Sequence, residues 1–121
     1  MKMLELIIKQ FNNPDELREF EKGKFELIQM PGMTIGKATY QPGWKWSNDV
    51  SPLLGTKFCE VEHLGIVLSG EATIVFKDGK VNPVKKGDVF YVPSEPHDSW
   101  VLGEEEYISI HFLGAGKYAN K

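Results

Sequence analysis

Cysteine is almost missing from this chain. Cys59 is the only one in 121 residues, so no internal disulfide can staple the fold, and nothing points to an oxidising compartment. Long apolar runs are missing too, since none approaches the roughly 20 residues that span a bilayer. The opening stretch MKMLELIIKQF is broken early by Glu5 and does not read as a secretory signal. Basic charge is not in excess: Lys+Arg number 14 against 17 Asp+Glu, for a formal net charge of -3. Nucleic-acid binding selects for basic stripes that displace counterions, and the one lysine cluster (Lys77, Lys80, Lys85, Lys86) flanks a turn and reads as a solvated hairpin. Repeats and low-complexity tracts are absent as well. These absences predict a single cytoplasmic domain with no nucleic-acid partner and no membrane.

What is present is frequent punctuation. Twelve glycines and seven prolines are spread through the chain, with short apolar runs between them, the spacing of an all-β sandwich or barrel. One stretch reads as a short helix. Asn13 can cap it, Pro14 suits its first position, Asp15 and Glu16 favour its positive end, and Gly23 can close it. The remainder reads as strands at 25–30, 34–41, 57–68, 72–77, 81–84, 89–92, 99–102 and 107–113, with Asp78-Gly79 as a hairpin turn. The loop from Pro42 to Thr56 carries Trp44 and Trp46 and no strand period, as befits a covering or functional loop. The tail after Gly114 is small and polar and is expected to fray.

Strand alternation then sorts the side chains. Residues two or four apart share a face, so Lys57, Cys59, Val61 and His63 fall together, opposite Glu60 and Glu62. The glutamates belong in water, which turns Cys59 and His63 inward. Gly36, Ala38 and Tyr40 line the interior by the same rule, and with Gly65 they leave it roomy. On the last strand Ile108, Ile110 and Phe112 look like the core row, leaving His111 outside. The alternative packs that row on a second protomer and turns His111 inward.

The order Gly70, Gly87, Pro93, His97 resembles the two-motif pattern of the cupin superfamily. Anchored on Gly70, His63 stands at the family's glutamate ligand, with Cys59 and Lys57 at its two first-motif histidines. In the second motif Glu95 replaces a glycine, His97 comes one residue early, and Val101 stands near the expected Asn. Only the second-motif histidine keeps its usual identity. PGWKWS, Cys59-x-x-x-His63-x-Gly65, Leu68-Ser69-Gly70 and Pro96-His97-Asp98-x-Trp100 are similar to a group of small single-domain cupins. The resemblance covers roughly residues 33–113. It implies a double-stranded β-helix (the cupin jelly-roll barrel) over 31–114. The short helix and edge strand or strands lie before it at 1–30, and the frayed tail follows at 115–121.

It also implies that His97 joins Cys59 and His63 as a third metal donor. One thiolate with two imidazoles suits zinc or iron and is a poor set for calcium or magnesium. Tyr40, Trp44, Trp46 and Lys57 are the expected lining of a small-molecule pocket. The expected function is a metal-dependent cupin that binds and transforms a small organic molecule; isomerisation, lyase chemistry and oxygenation all occur among cupins. Two rivals are a metal-free ligand-binding or sensing module and metal-free proton transfer by His63 or His97. Ile66 and Leu68 project away from the pocket and need cover, which a homodimer or a second sheet of the same chain would supply equally well.

Overall fold

The computed structural model describes residues 5–119. Nine strands are found among them: β1 (Glu16–Phe20), β2 (Gly23–Met30), β3 (Met33–Tyr40), β4 (His63–Ser69), β5 (Glu71–Phe76), β6 (Val81–Lys85), β7 (Val89–Val92), β8 (His97–Leu102) and β9 (Tyr107–Leu113). Two single-turn helices, α1 (Trp46–Asp49) and α2 (Ser51–Leu54), lie between β3 and β4. The strands form two antiparallel sheets, one in the order β1-β2-β3-β9-β4-β7 and one in the order β6-β5-β8. The expected all-β double-stranded β-helix is the observed architecture.

The helix expected near the N-terminus is a strand hairpin instead. Its proposed cap region zips onto β2: the Asp15 N–H donates to the Leu27 carbonyl at 2.9 Å, and the Asp15 carboxylate accepts from the Gln29 N–H at 2.8 Å. Gly23, read as a helix stop, opens β2 opposite Phe20, with Lys22 in the left-handed region at φ 62°. A side chain at Gly23 would collide with the rings of Phe20 and Tyr40. An isolated helix of two or three turns is marginal in water, whereas the hairpin gains a full ladder and half-buries Arg18 and Phe20. β2 is no appendage to the barrel either, because Phe25 and Leu27 are wholly buried in the core.

The long strand expected over 57–68 is shorter. The ladder starts at His63, and Cys59 makes only an isolated bridge to His97. Nor does the tail fray over 115–119. Ala115, Tyr118 and Ala119 join the core, and Arg18 ties them down, its guanidinium donating to the Tyr118 carbonyl at 2.6 Å and the Gly116 carbonyl at 3.2 Å. Sequence polarity misled because Arg18 supplies the backbone's missing partners and Tyr118 fills the barrel end; residues 120 and 121 lie outside the described residues.

Two more expectations are corrected inside the barrel. Tyr107, Ser109 and His111 form the buried row of β9, while Ile108 and Ile110 are half-buried and Phe112 is exposed. The register gives the reason: His111 lies opposite Gly36 on β3 and Gly65 on β4, and cross-strand partners share a face. The room at those glycines is occupied, since a Cβ at Gly36 would strike the Phe25 ring and one at Gly65 the Phe90 ring and the Ile110 backbone.

Candidate metal centre

Cys59 and His97 meet at a corner where the two sheets approach. Each donates its backbone N–H to the other's carbonyl at 2.9 Å, which fixes both Cα positions without a continuous ladder. His63 opens β4 four residues after Cys59. All three side chains are buried. Their donor atoms lie within 4.8 Å of one another, and Cys59 Sγ is 3.7 Å from His63 Nε2. Zinc bonds of about 2.3 Å to sulfur and about 2.0–2.1 Å to nitrogen, at a tetrahedral angle, put S and N about 3.6 Å apart. The Cys59–His63 pair therefore already has the span that a transition-metal ion needs, with His97 close by. His97 Nδ1 is 2.9 Å from the Glu95 carbonyl. Donation there orients the ring and leaves Nε2 as its ligand atom, the outer support typical of metal-bound histidine.

Burial decides the protonation of the cluster. Desolvation pushes the Cys59 thiol up to about 11, with Glu60 and Asp98 adding to it and the Val61 backbone opposing. Desolvation likewise holds His63 well below the ordinary histidine value, helped by the neighbouring His111 and His97. His97 is lowered by burial, against the pull of the Glu95 carbonyl and Asp98. The histidines are thus neutral, the form that ligates, and the thiol must give up its proton to a cation. Binding would release that proton and strengthen as pH rises.

The other expected pocket residues divide. Tyr40 and Trp44 border an inner chamber of about 50 Å³ together with His63, His97, Tyr107 and His111. Trp46 borders an outer hollow of about 290 Å³, beside Leu54, Phe58, Cys59 and Val61. Lys57 joins neither. It is exposed, with its ammonium 5.5 Å from the centre of the Phe58 ring, because the chain before Cys59 is off the ladder and strand alternation does not extend to it.

The tryptophan loop is stitched to β8. The Val101 N–H donates to the Trp44 carbonyl at 3.0 Å, and Asp98 accepts from the Ser47 N–H at 3.0 Å. Trp44 stacks on Tyr40 at 3.8 Å between ring centroids. Trp100 is half-buried on this strand, under the Lys45 ammonium. Sequence reasoning missed Tyr118, whose hydroxyl accepts from Tyr40 at 2.7 Å and whose ring packs 5.4 Å from that of His63. A lone aromatic in a small polar tail was the only sign of it.

The two antiparallel sheets closed around a buried polar interior define a double-stranded β-helix protein with a candidate metal cluster. Residues 60–111, somewhat under half of the chain, match the family described as cupin domain; that stretch is similar to the family, and the fold around it is the double-stranded β-helix. No functionally curated protein matches it. Among solved structures, the polyketide cyclase RemF from Streptomyces resistomycificus superposes with a TM-score of 0.65 at 16% identity, over 92% of this chain and 80% of that one. A protein of unknown function from Rhizobium leguminosarum matches at 0.58 and 20%, over 93% and 97%. Oxalate decarboxylase from Lactobacillus farciminis matches at 0.58 and 20%, over 82% of this chain but 30% of its own. At these identities the likeness is one of fold.

Proposed function

We propose that Cys59, His63 and His97 hold a divalent transition metal, zinc or iron, and that the domain binds and transforms a small organic molecule beside it. The observation that carries this reading is the convergence of one buried thiol and two buried imidazoles within 4.8 Å. Three protein ligands leave a coordination position open, where a bound cation supplies Lewis-acid polarisation of a carbonyl or activates water. The outer hollow of about 290 Å³ runs up to Cys59 and offers the approach. In this reading Trp46, Trp44 and Tyr40 shape the space for the ligand, and Lys57 stays outside it. A reduced, buried Cys59 and the lack of disulfides suit the cytoplasm. No helix among the described residues is long and apolar enough to cross a membrane.

Elemental analysis of protein purified without added metal tests the proposal. About one zinc or iron per chain is expected, falling at least tenfold in Cys59→Ala and in His97→Ala. Metal-free protein that takes up neither ion from micromolar solution would sink it and leave a metal-free binding module or histidine base. The apolar outer face of β4, β7 and β9, with Leu64, Leu68, Val89, Tyr91 and Phe112 exposed, supports a homodimer across it; a monomer by light scattering at micromolar concentration removes that part.

A further inference from the structure

Three buried polar atoms on residues that border the inner chamber have no hydrogen-bond partner among the described residues: Trp44 Nε1, His63 Nδ1 and His111 Nδ1. The residues that carry them all border the chamber of about 50 Å³. Trp44 Nε1 is a donor, and each imidazole Nδ1 is one in the neutral tautomer that leaves Nε2 free to accept or ligate. Indole nitrogen can only donate. His111 Nε2 lies 2.8 Å from the Ser109 hydroxyl, which is fully buried. If the Ser109 hydroxyl donates to Nε2, the ring proton of His111 sits on Nδ1. His63 turns Nε2 toward the Cys59 sulfur. Whether that nitrogen accepts from the thiol or ligates a cation, the ring proton again sits on Nδ1. Buried N–H groups without partners are rare in folded proteins and mark a place where something else accepts.

We propose that the inner chamber binds the carboxylate of a small organic acid, held by N–H donation from Trp44, His63 and His111. This deepens the metal-site reading and rests on it only for the charge of the neighbouring cation. Carboxylate chemistry fits better than water. A carboxylate offers about four lone-pair sites and no hydrogen of its own, whereas a water accepting these bonds must still place its own protons. Size agrees as well. One water needs about 10–15 Å³ of such space, so the chamber holds about three to five water-sized positions, enough for the three heavy atoms of a carboxylate group. The remainder of the wall includes Ala72, Ile74, Phe90 and Val92, an apolar surround in which charge-assisted hydrogen bonds gain strength.

Formate, the smallest carboxylate, is the probe. It is titrated into ¹⁵N-labelled protein while the indole ¹H–¹⁵N signals are followed, with Trp44→Phe assigning Trp44 and Trp100 as the reference. The expected result is a saturable downfield shift of the Trp44 signal with Trp100 unmoved, and little response to formamide, which is of similar size but uncharged. His111→Leu should weaken formate binding about tenfold or more while leaving the metal per chain unchanged. Should that variant unfold, His111→Gln, which keeps an N–H donor, is expected to bind within a few-fold of the parent. A Trp44 signal that does not move, or one that saturates equally in His111→Leu, overturns the proposal. Metal content measured on the same samples separates the two readings. A metal-free protein that still shifts Trp44 sinks the metal site alone, and a metal-loaded protein with a silent Trp44 sinks the carboxylate site alone.

Discussion

β9 has two faces, and the polar one is buried. Tyr107, Ser109 and His111 point into the barrel; Ile108, Ile110 and Phe112 point away from it. Strand β4 repeats the contrast, with His63, Gly65 and Val67 inside and Leu64, Ile66 and Leu68 outside. Hydrophobicity alone would assign the faces the other way, because isoleucine is among the residues most often buried. The inner face can be polar in part because some of its groups find partners, as Ser109 does with His111 and Tyr40 with Tyr118. Its remaining stability comes from aromatic rings that enter from elsewhere: Phe25 packs edge-on to His111, and Phe90 does so from the other side. The interior is therefore a polar, buried row held in place by aromatics, and the outer face is an apolar surface.

Truncating a ring on each side breaks or sharpens this contrast. Phe25 is 0% exposed and Phe112 is 41% exposed. Phe25→Ala removes a ring that lies against Gly36, His111 and Tyr118, and denaturant unfolding should show a loss of about 3–5 kcal/mol, the usual cost of a large aromatic truncation in a core. Phe112→Ala should cost about 1 kcal/mol or less in the monomer. Equal losses would mean that the outer row is as enclosed as the inner one.

Acid comes next in size. Burial pulls His111 down to about 4, against an ordinary value of 6.5. Between those pH values the unfolded chain binds a proton that the folded one refuses, so stability rises with pH and falls on acidification. The slope is about 1.4 kcal/mol per pH unit for this one histidine. His63 and His97 are lowered for the same reason and add in the same direction. In chelator-treated protein, His111→Leu should flatten the decline between pH 6.5 and 4 by its own share. An unchanged slope would mean that His111 is solvated, and the inner face would lose its claim to be dry.

Much of this was legible in the chain. Glycine and proline punctuation marked most of the strands, and the alternation of Glu60 and Glu62 against Cys59 and His63 turned the two donors inward. That alternation worked although the ladder starts only at His63, because the Cys59–His97 bridge keeps the strand-like orientation at one position. It failed at Lys57, where no bridge exists. The N-terminal helix misled because Asn13, Pro14 and Gly23 are capping residues and equally hairpin residues; only the partner strand decides between them. His111 could not be placed without the β3–β9–β4 register, since its glycine neighbours Gly36 and Gly65 are far away in sequence. Tyr118 depends on Arg18, about a hundred residues earlier, and no local pattern announces such a tie.

Lys57 carries the smallest expected effect and tests the corner itself. The sequence puts its ammonium on the face of the candidate ligands, two residues from Cys59, where it would bring positive charge near a cation. The structure puts it in solvent over Phe58. An exposed side chain with one cation–π neighbour contributes little, so Lys57→Ala should change stability by less than about 0.5 kcal/mol. It should also leave metal per chain and zinc affinity unaltered. Tighter zinc binding in that variant would show that the ammonium reaches the cluster in solution, and that residues 57–59 continue the strand in the form that binds metal.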